Sequence, residues 1–285
     1  MTDLLTKSYD EIPYPSVPFV QSHPDRLATI ATLYGMDPAP PSPESCRVLE
    51  LGCAQGDNLI PLAMGTPRGE FVGIDLSPRQ IADGQAVVAE LGVENVRLEE
   101  MNLMDLDASW GEFDYILAHG VFSWVPDDVR EGMLKLCRER LKPNGIAYIS
   151  YNTLPGWRLR GAVRDMLRFH TRNVEGSRRQ LTEGQAALDF FAEGIPEDQG
   201  LYRFIFQNVR EDARDPEVES HLYHDFMEEF NQPFYFQEFI GRAARHDLQF
   251  LGEADASDSQ PQRFNDQVQQ MLASLDESYH LREQY

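Results

Sequence analysis

The chain has 285 residues, 42% of them hydrophobic, enough to bury the core of one large domain, and no apolar run approaches the ~18 residues that span a bilayer. Its 25 Lys and Arg against 47 Asp and Glu leave a net charge of −22, which argues against nucleic acid as a partner because phosphate binding needs basic patches. Cys46, Cys53 and Cys137 form no C-x-x-C pair and the N-terminus lacks a secretory signal pattern, so a cytoplasmic protein without a membrane partner or a metal site is expected.

Residues 1–45 are rich in Pro and aromatic residues and read as an N-terminal cap or lid, with a helix predicted over Pro24 to Tyr34 and a linker from Pro38 to Pro43. From Arg47, strand and helix alternate. "CRVLELG" reads as a buried strand, "NLIPLAM" as a helix and "EFVGIDL" as a second strand. "SPRQIADGQAVVAELG" is the clearest helix, with Ser77 as N-cap, Pro78 at the first helical position, Gln80 completing a capping box and Gly92 ending it. "VRLEEMNL" is a third strand and "FDYILAHGV" a fourth. "PDDVREGMLKLCRERLKPNG" is a helix closed by a Pro-Asn-Gly turn, and "IAYISYNT" a fifth strand. This rhythm over 46–157 implies an α/β fold, a Rossmann-like, doubly wound, mostly parallel sheet.

After Pro155 the rhythm breaks. Residues 158–232 read as a helical insertion, with a capping box at Thr182 and Gln185 and a further helix starting at Asp215-Pro216. His221, His224 and Asp225 fall on one helix and read as a solvated face rather than a metal site. Residues 233–285 return to the sheet as helix then strand in "QEFIGRAARHDLQFLGEA" and begin a polar, partly helical C-terminal segment.

The loop in "VLELGCAQGDNLIPLA" decides the chemistry. It has no lysine near Gly56, so it is not a triphosphate loop. Read as a dinucleotide loop from Gly52, its second glycine falls on Ala54 and its third on Asp57, where close helix–strand packing needs Gly. What remains is E-x-G-x-x-x-G, with Glu50 placed to accept a bond from an ammonium group or a backbone amide. Asp75 ends the second strand, where a carboxylate accepts ribose hydroxyls, and Asn102 follows the third, where a polar side chain reaches an adenine amine. Amino acid, ribose and adenine together describe S-adenosylmethionine (SAM).

The segments "YDEIPYPSVPFVQSHPDRLATIATLYGM", "RVLELGCAQGDNLIPLA", "AHGVFSWVP" and "SYNTLPGW" resemble the class I SAM-dependent methyltransferases that carry a methyltransferase regulatory domain. That group includes rickettsial protein-lysine methyltransferases acting on outer-membrane protein. The resemblance runs on through "FYFQEFIGRAARHDLQFLGEA". It implies that Glu50, Gly52, Ala54 and Gly56 line the methionine end, that Asp75 takes the ribose with Leu76 packing nearby, and that Cys53, Asn58 and Gln80 also bind the cofactor. It further implies that Met101, Asn102 and Leu103 face the adenine, and that His119 and Gly120 lie beside the methionine moiety. The family fold adds a final antiparallel strand, for which no apolar run follows Ala256.

Catalytic candidates are His119, Tyr151 and Asn152, at strand C-termini where open α/β sheets put their ligands. Tyr14, Phe122, Trp124 and Trp157 are candidates for the acceptor wall, with core packing as the competing role of the aromatic pair at 122 and 124. The favoured reaction is methyl transfer from SAM to a protein lysine. A small-molecule N- or O-methyltransferase and a SAM-binding sensor or scaffold are the rivals. An NAD-dependent dehydrogenase is weakened by Asp57. A homodimer is compatible with this reading.

Overall fold

The computed structural model describes residues 10–14, 17–213, 219–255, 257, 261–275 and 283–284. Five parallel strands, β1 (Arg47–Leu51), β2 (Glu70–Asp75), β3 (Val96–Glu100), β4 (Phe113–Ala118) and β5 (Leu141–Ile149), form a sheet in the order β3-β2-β1-β4-β5. The winding reverses between β1 and β4, so a crevice opens at their C-terminal ends, where such sheets bind ligands. β1 and β4 read as continuous apolar runs because both faces of the sheet are covered. On one face, Val48, Phe71 and Tyr115 pack under α1 (Pro24–Leu33), α2 (Leu59–Gly65) and α3 (Pro78–Leu91). On the other, Leu49, Val72 and Ile116 pack under α4 (Asp127–Arg140) and α9 (Phe236–Arg245).

Helices α5 (Trp157–Thr171), α6 (Ser177–Gly194), α7 (Gly200–Ala213) and α8 (Glu219–Phe226) pack on one another around a second core. Val163, Leu167, Leu188, Phe206 and Leu222 lie in it, and Ile12 of the N-terminal segment joins them. α10 (Asp266–Ser274) follows in the tail, with the Asn265 side chain accepting from the Val268 amide at its start. Among the described residues no helix is long and apolar enough to cross a membrane.

Several expectations need correction. The strand expected within "DLQFLGEA" does not form: residues 248–253 carry no regular secondary structure, and the return to the sheet is an isolated parallel bridge between Thr153 and Phe234. A cleft of about 640 Å³ lies along β5 instead, lined by Tyr148, Phe239 and Phe250 among others. Pro143-Asn144-Gly145 lies inside β5 as an irregularity, between the pairs Phe113–Leu141 and Tyr115–Ile146. Thr182 sits within α6, its hydroxyl donating to the Arg178 carbonyl, because the helix already starts at Ser177. At α3 only half of the capping box exists. Ser77 Oγ accepts from the Gln80 amide, but the Gln80 side chain donates to the Tyr14 carbonyl. Asp215 and Pro216 lie outside the described residues.

Candidate active site

The loop after β1 turns through three left-handed residues, Gly52 (φ 70°), Ala54 (φ 51°) and Gly56 (φ 84°). Its amides at Gly52 and Cys53 both donate to the Ile74 carbonyl, at 2.8 and 3.1 Å, which ties the turn to the end of β2. A Cβ at Gly52 would lie 2.6 Å from Val121 Cγ2, so backbone is the only thing that fits between the loops after β1 and β4. A non-glycine residue at Ala54's φ is uncommon and marks a position the surroundings enforce. Here the Ala54 amide donates to Asp75 Oδ2 at 2.9 Å. The Ser77 amide donates to Asp75 Oδ1, also at 2.9 Å, so the carboxylate is pinned at the end of β2 with lone pairs to spare.

Glu50 carries the sharpest signal. It is 3% exposed, the next-to-last residue of β1 before the loop. One oxygen accepts from Asn58 Nδ2 at 2.8 Å, while the other is buried with no hydrogen-bond partner. Burial raises its pKa to about 8, against the lowering by Asn58 and helped by the negative charge of Asp75. A buried acceptor left unmatched costs free energy. It fits a site made for a cationic group that arrives from outside.

Asn58 extends that network to the N-terminal segment. Its Oδ1 accepts from the Phe19 amide at 2.9 Å and from the Ser22 hydroxyl at 3.2 Å. The Phe19 ring stacks on His119 with centroids 3.5 Å apart. Burial lowers the His119 pKa to about 4, so the ring is neutral, and Tyr148 holds its Nδ1 at 2.8 Å. Gly120, with φ 65°, donates its amide to Ser150 Oγ and joins the ends of β4 and β5.

The structure brings Glu50, Gly52, Ala54, Gly56, Asn58, Asp75, His119 and Gly120 together at this crevice. Met101 and Leu103 pack against the core beside it, with Leu76 half-buried next to Asp75. Asn102 Oδ1 already accepts from the Met104 amide, which leaves one lone pair of that carbonyl for an adenine amine. Two residues stand apart. The Cys53 thiol turns into the sheet, where a Cβ at Gly73 would lie 2.7 Å from it, and its amide is spent on Ile74. Gln80 is buried and engaged by Tyr14, so it holds the N-terminal segment rather than a ligand.

The acceptor candidates divide. Trp124, after β4, meets Trp157, after β5, edge to face at 6.2 Å. Phe122, fully buried, packs against Phe234 and Phe239 and is core rather than wall. Tyr151 stacks on Phe239 at 4.3 Å and also belongs to that core, which moves it away from a catalytic role. Asn152 is held by its amide on Ser123 Oγ and by its Nδ2 on Asn231 Oδ1.

The helix with His221, His224 and Asp225 is not a solvated face. His224 is 2% exposed and its Nε2 lies 2.7 Å from the Ile12 carbonyl. Tyr14 packs on both rings, at 4.8 Å from His221 and 5.5 Å from His224. The N-terminal segment is thus a strap in its described residues, 10–14 and 17–22. Asp10 accepts from Ser77 Oγ and Glu11 accepts from the Ser177 amide, so it joins the cofactor crevice to the insertion. Ser22 was missed in the sequence because its partner Asn58 lies 36 positions along the chain and no local motif marks it, and Asp225 was read there only as part of a solvated helix face.

A neutral-to-anionic carboxyl, a cradle of bare backbone and a pinned carboxylate at the end of β2 match the amino-acid and ribose parts of SAM. A family profile described as "Methyltransferase domain" matches residues 48–145, and one described as "Predicted methyltransferase regulatory domain" matches residues 219–285. An uncharacterized protein of Rickettsia prowazekii is 40% identical over 249 residues, 87% of this chain and 44% of that protein. Another from the same organism is 37% identical over 246 residues, 86% of this chain and 96% of its own length. PKMT2 from Rickettsia typhi, solved in complex with AdoHcy, matches with a TM-score of 0.84 and 32% identity, over 96% of this chain and 52% of that one. The chain therefore spans about half the length of the first of these relatives (44%) and of PKMT2 (52%).

Proposed function

This chain belongs to the SAM-dependent methyltransferases that carry a methyltransferase regulatory domain, and we propose that it transfers a methyl group to the side-chain amine of a protein lysine. The observation that carries the reading is the buried Glu50 carboxyl with one unpartnered oxygen beside the side-chain-free turn at Gly52. Glu50 holds the ammonium end of the cofactor, Asp75 the ribose hydroxyls, and Asn102 with Met101 and Leu103 the adenine. SAM supplies a methyl group already activated on a positively charged sulfur. The protein's share of the work is therefore placement and exclusion of water. The Phe19 ring on His119 covers the crevice from the strap side, and neutral His119 adds no positive charge beside a sulfonium.

An amine must be neutral to attack, and lysine starts near ~10.4. Desolvation between Trp124, Trp157 and Tyr14 favours the neutral form. The resemblance to rickettsial protein-lysine methyltransferases and the acidic chain support lysine as acceptor. The test is methyl-labelled SAM in a cell lysate with the protein, followed by mass spectrometry. Label on lysine of a protein is expected. Label only in small molecules would replace this acceptor, and tight SAM binding with no transfer would make the chain a sensor.

A further inference from the structure

Arg160 stands one turn into α5, at the C-terminal end of β5, and its setting differs from that of its buried neighbours. Arg164, one turn on, donates to the Asp225 carbonyl at 3.3 Å and to those of Glu228 and Glu229. Arg130 donates its Nε to the Phe122 carbonyl at 2.8 Å. Each ties two segments together through backbone acceptors. Arg160 does no such thing. Its Nη2 stands 3.8 Å from Asp225 and 3.6 Å from Asp212, beyond ordinary hydrogen-bond length, and its Nε is buried without a partner. What surrounds the guanidinium is two aromatic rings, Trp157 at 5.4 Å and Phe226 at 5.3 Å.

Aromatic faces combined with carboxylates make a receptor for an organic cation. Its place matters as much as its chemistry. Trp157 touches Trp124, which follows β4. Tyr14 is held by Gln80 beyond the end of β2 and packs on His221, one turn before Asp225 on α8. The negative charge of Asp225 reaches the Tyr14 phenol, adding to the burial that pushes its pKa up to about 12. The ring of residues thus spans the ends of β2, β4 and β5, around the crevice that the Gly52 loop opens.

We infer that Trp157, Phe226, Asp212 and Asp225 form an alkylammonium site for the acceptor's lysine side chain, and that Arg160 is its displaceable internal occupant. This rests on the proposed lysine acceptor. An incoming lysine replaces one cation by another, so the buried carboxylate of Asp225 is never left without a counter-charge. Burial lifts the Asp225 pKa to about 6 against the pull of Arg160, so the carboxylate is a stronger proton acceptor than an exposed one. Loose contacts at Arg160 make the exchange cheap, which tight hydrogen bonds of the Arg164 kind would prevent.

The test uses protein saturated with S-adenosylhomocysteine and two probes, Nα-acetyl-lysine amide and its uncharged analogue Nα-acetyl-norleucine amide, by calorimetry. Arg160→Met keeps the length of the side chain and removes its charge. It should bind the lysine probe about tenfold more tightly than wild type, with the norleucine probe unchanged. Adding Asp225→Asn should abolish the gain. Arg160→Lys, a shorter cation, guards against a misfolded Met variant and should bind the lysine probe about threefold more tightly. Equal lysine-probe affinity in wild type and both variants, or equal tightening for both probes, would overturn the inference. Failure of the methyl-transfer reading shows separately, as wild type that binds no S-adenosylhomocysteine or labels no lysine.

Discussion

The two halves of the site are built on different scales. The cofactor half is local. Asn58 reaches Glu50 across 8 positions of sequence, and Ala54 reaches Asp75 across 21. The proposed acceptor half is assembled from afar. His224 meets Ile12 across 212 positions, Ser177 meets Glu11 across 166, and Asn152 meets Asn231 across 79. A crevice made of consecutive strand ends needs only the turn residues to be right. A wall made by a strap and a helical insertion needs both to dock, and it is free to change its chemistry without disturbing the sheet.

The largest effect that separates the halves is expected at Gly52. A valine there must adopt a left-handed φ, disfavoured by roughly 1–2 kcal/mol for any L side chain, and must displace Val121 Cγ2. Gly52→Val should lose S-adenosylhomocysteine affinity by about a thousandfold, measured by calorimetry, while circular dichroism stays that of the native fold. Measurable cofactor binding by the folded variant would move the cofactor away from this loop.

Asp75→Ala comes next. It removes an acceptor for ribose hydroxyls and the anchor of the Ala54 amide, each charged hydrogen bond contributing ~1.5–3 kcal/mol. A loss of about a hundredfold in cofactor affinity is expected. Asp225→Asn, in the other half, should give the mirror image: cofactor affinity within about twofold and methyl transfer to a lysine peptide down at least about tenfold. If both substitutions lowered cofactor affinity alike, the division into halves would not hold.

The proton on Glu50 gives a smaller and reversible effect. Its pKa is raised from 4.5 to about 8, chiefly by burial, so in the free protein the carboxyl is mostly neutral at pH 7. A cation binds the ionised form better, so cofactor affinity should rise by about tenfold between pH 6 and 8, with a proton released on binding. For folding the sign is opposite. A carboxyl with a raised folded pKa contributes stability that is complete below about pH 4.5 and is lost as pH rises through 8. Glu50→Gln should flatten both profiles. A wild-type affinity that does not change over this range would show that the carboxyl is already ionised.

The same difference in scale explains what was legible. Strand–helix alternation over 46–157 gave the parallel sheet, because β1 and β4 are apolar on both faces and α3 carries its own start signal in Ser77 and Pro78. The turn at the loop glycines and the place of Asp75 at the end of β2 were legible because short motifs carry backbone conformation and strand-end position. Phe122 and Tyr151 misled, since an aromatic at a strand end packs into a core as readily as it faces a ligand, and Phe234 and Phe239, which draw them in, lie beyond the insertion. The strand expected near Phe250 failed for a related reason. An apolar run shows that a segment will be covered, not that it will pair.

The smallest effect tests whether the halves communicate. The Ile12 carbonyl can only accept, so His224 Nε2 carries the hydrogen in their 2.7 Å contact. That bond fixes the strap on the insertion, while at its other end Phe19 and Ser22 hold Asn58 and, through it, Glu50. His224→Phe keeps a ring beside Tyr14 but removes the donor. A hydrogen bond of this kind contributes ~1 kcal/mol, so the strap should spend more time away from the insertion. A binding-competent state that is less populated weakens the ligand by the same fraction. Cofactor affinity should therefore fall only about threefold, although His224 touches no cofactor residue, and hydrogen exchange at the Phe19 amide should speed up in step. If affinity fell while Phe19 exchange stayed constant, the strap would not be the link. If exchange rose with affinity unchanged, the strap would move freely without touching the cofactor half, and the two halves would be energetically independent.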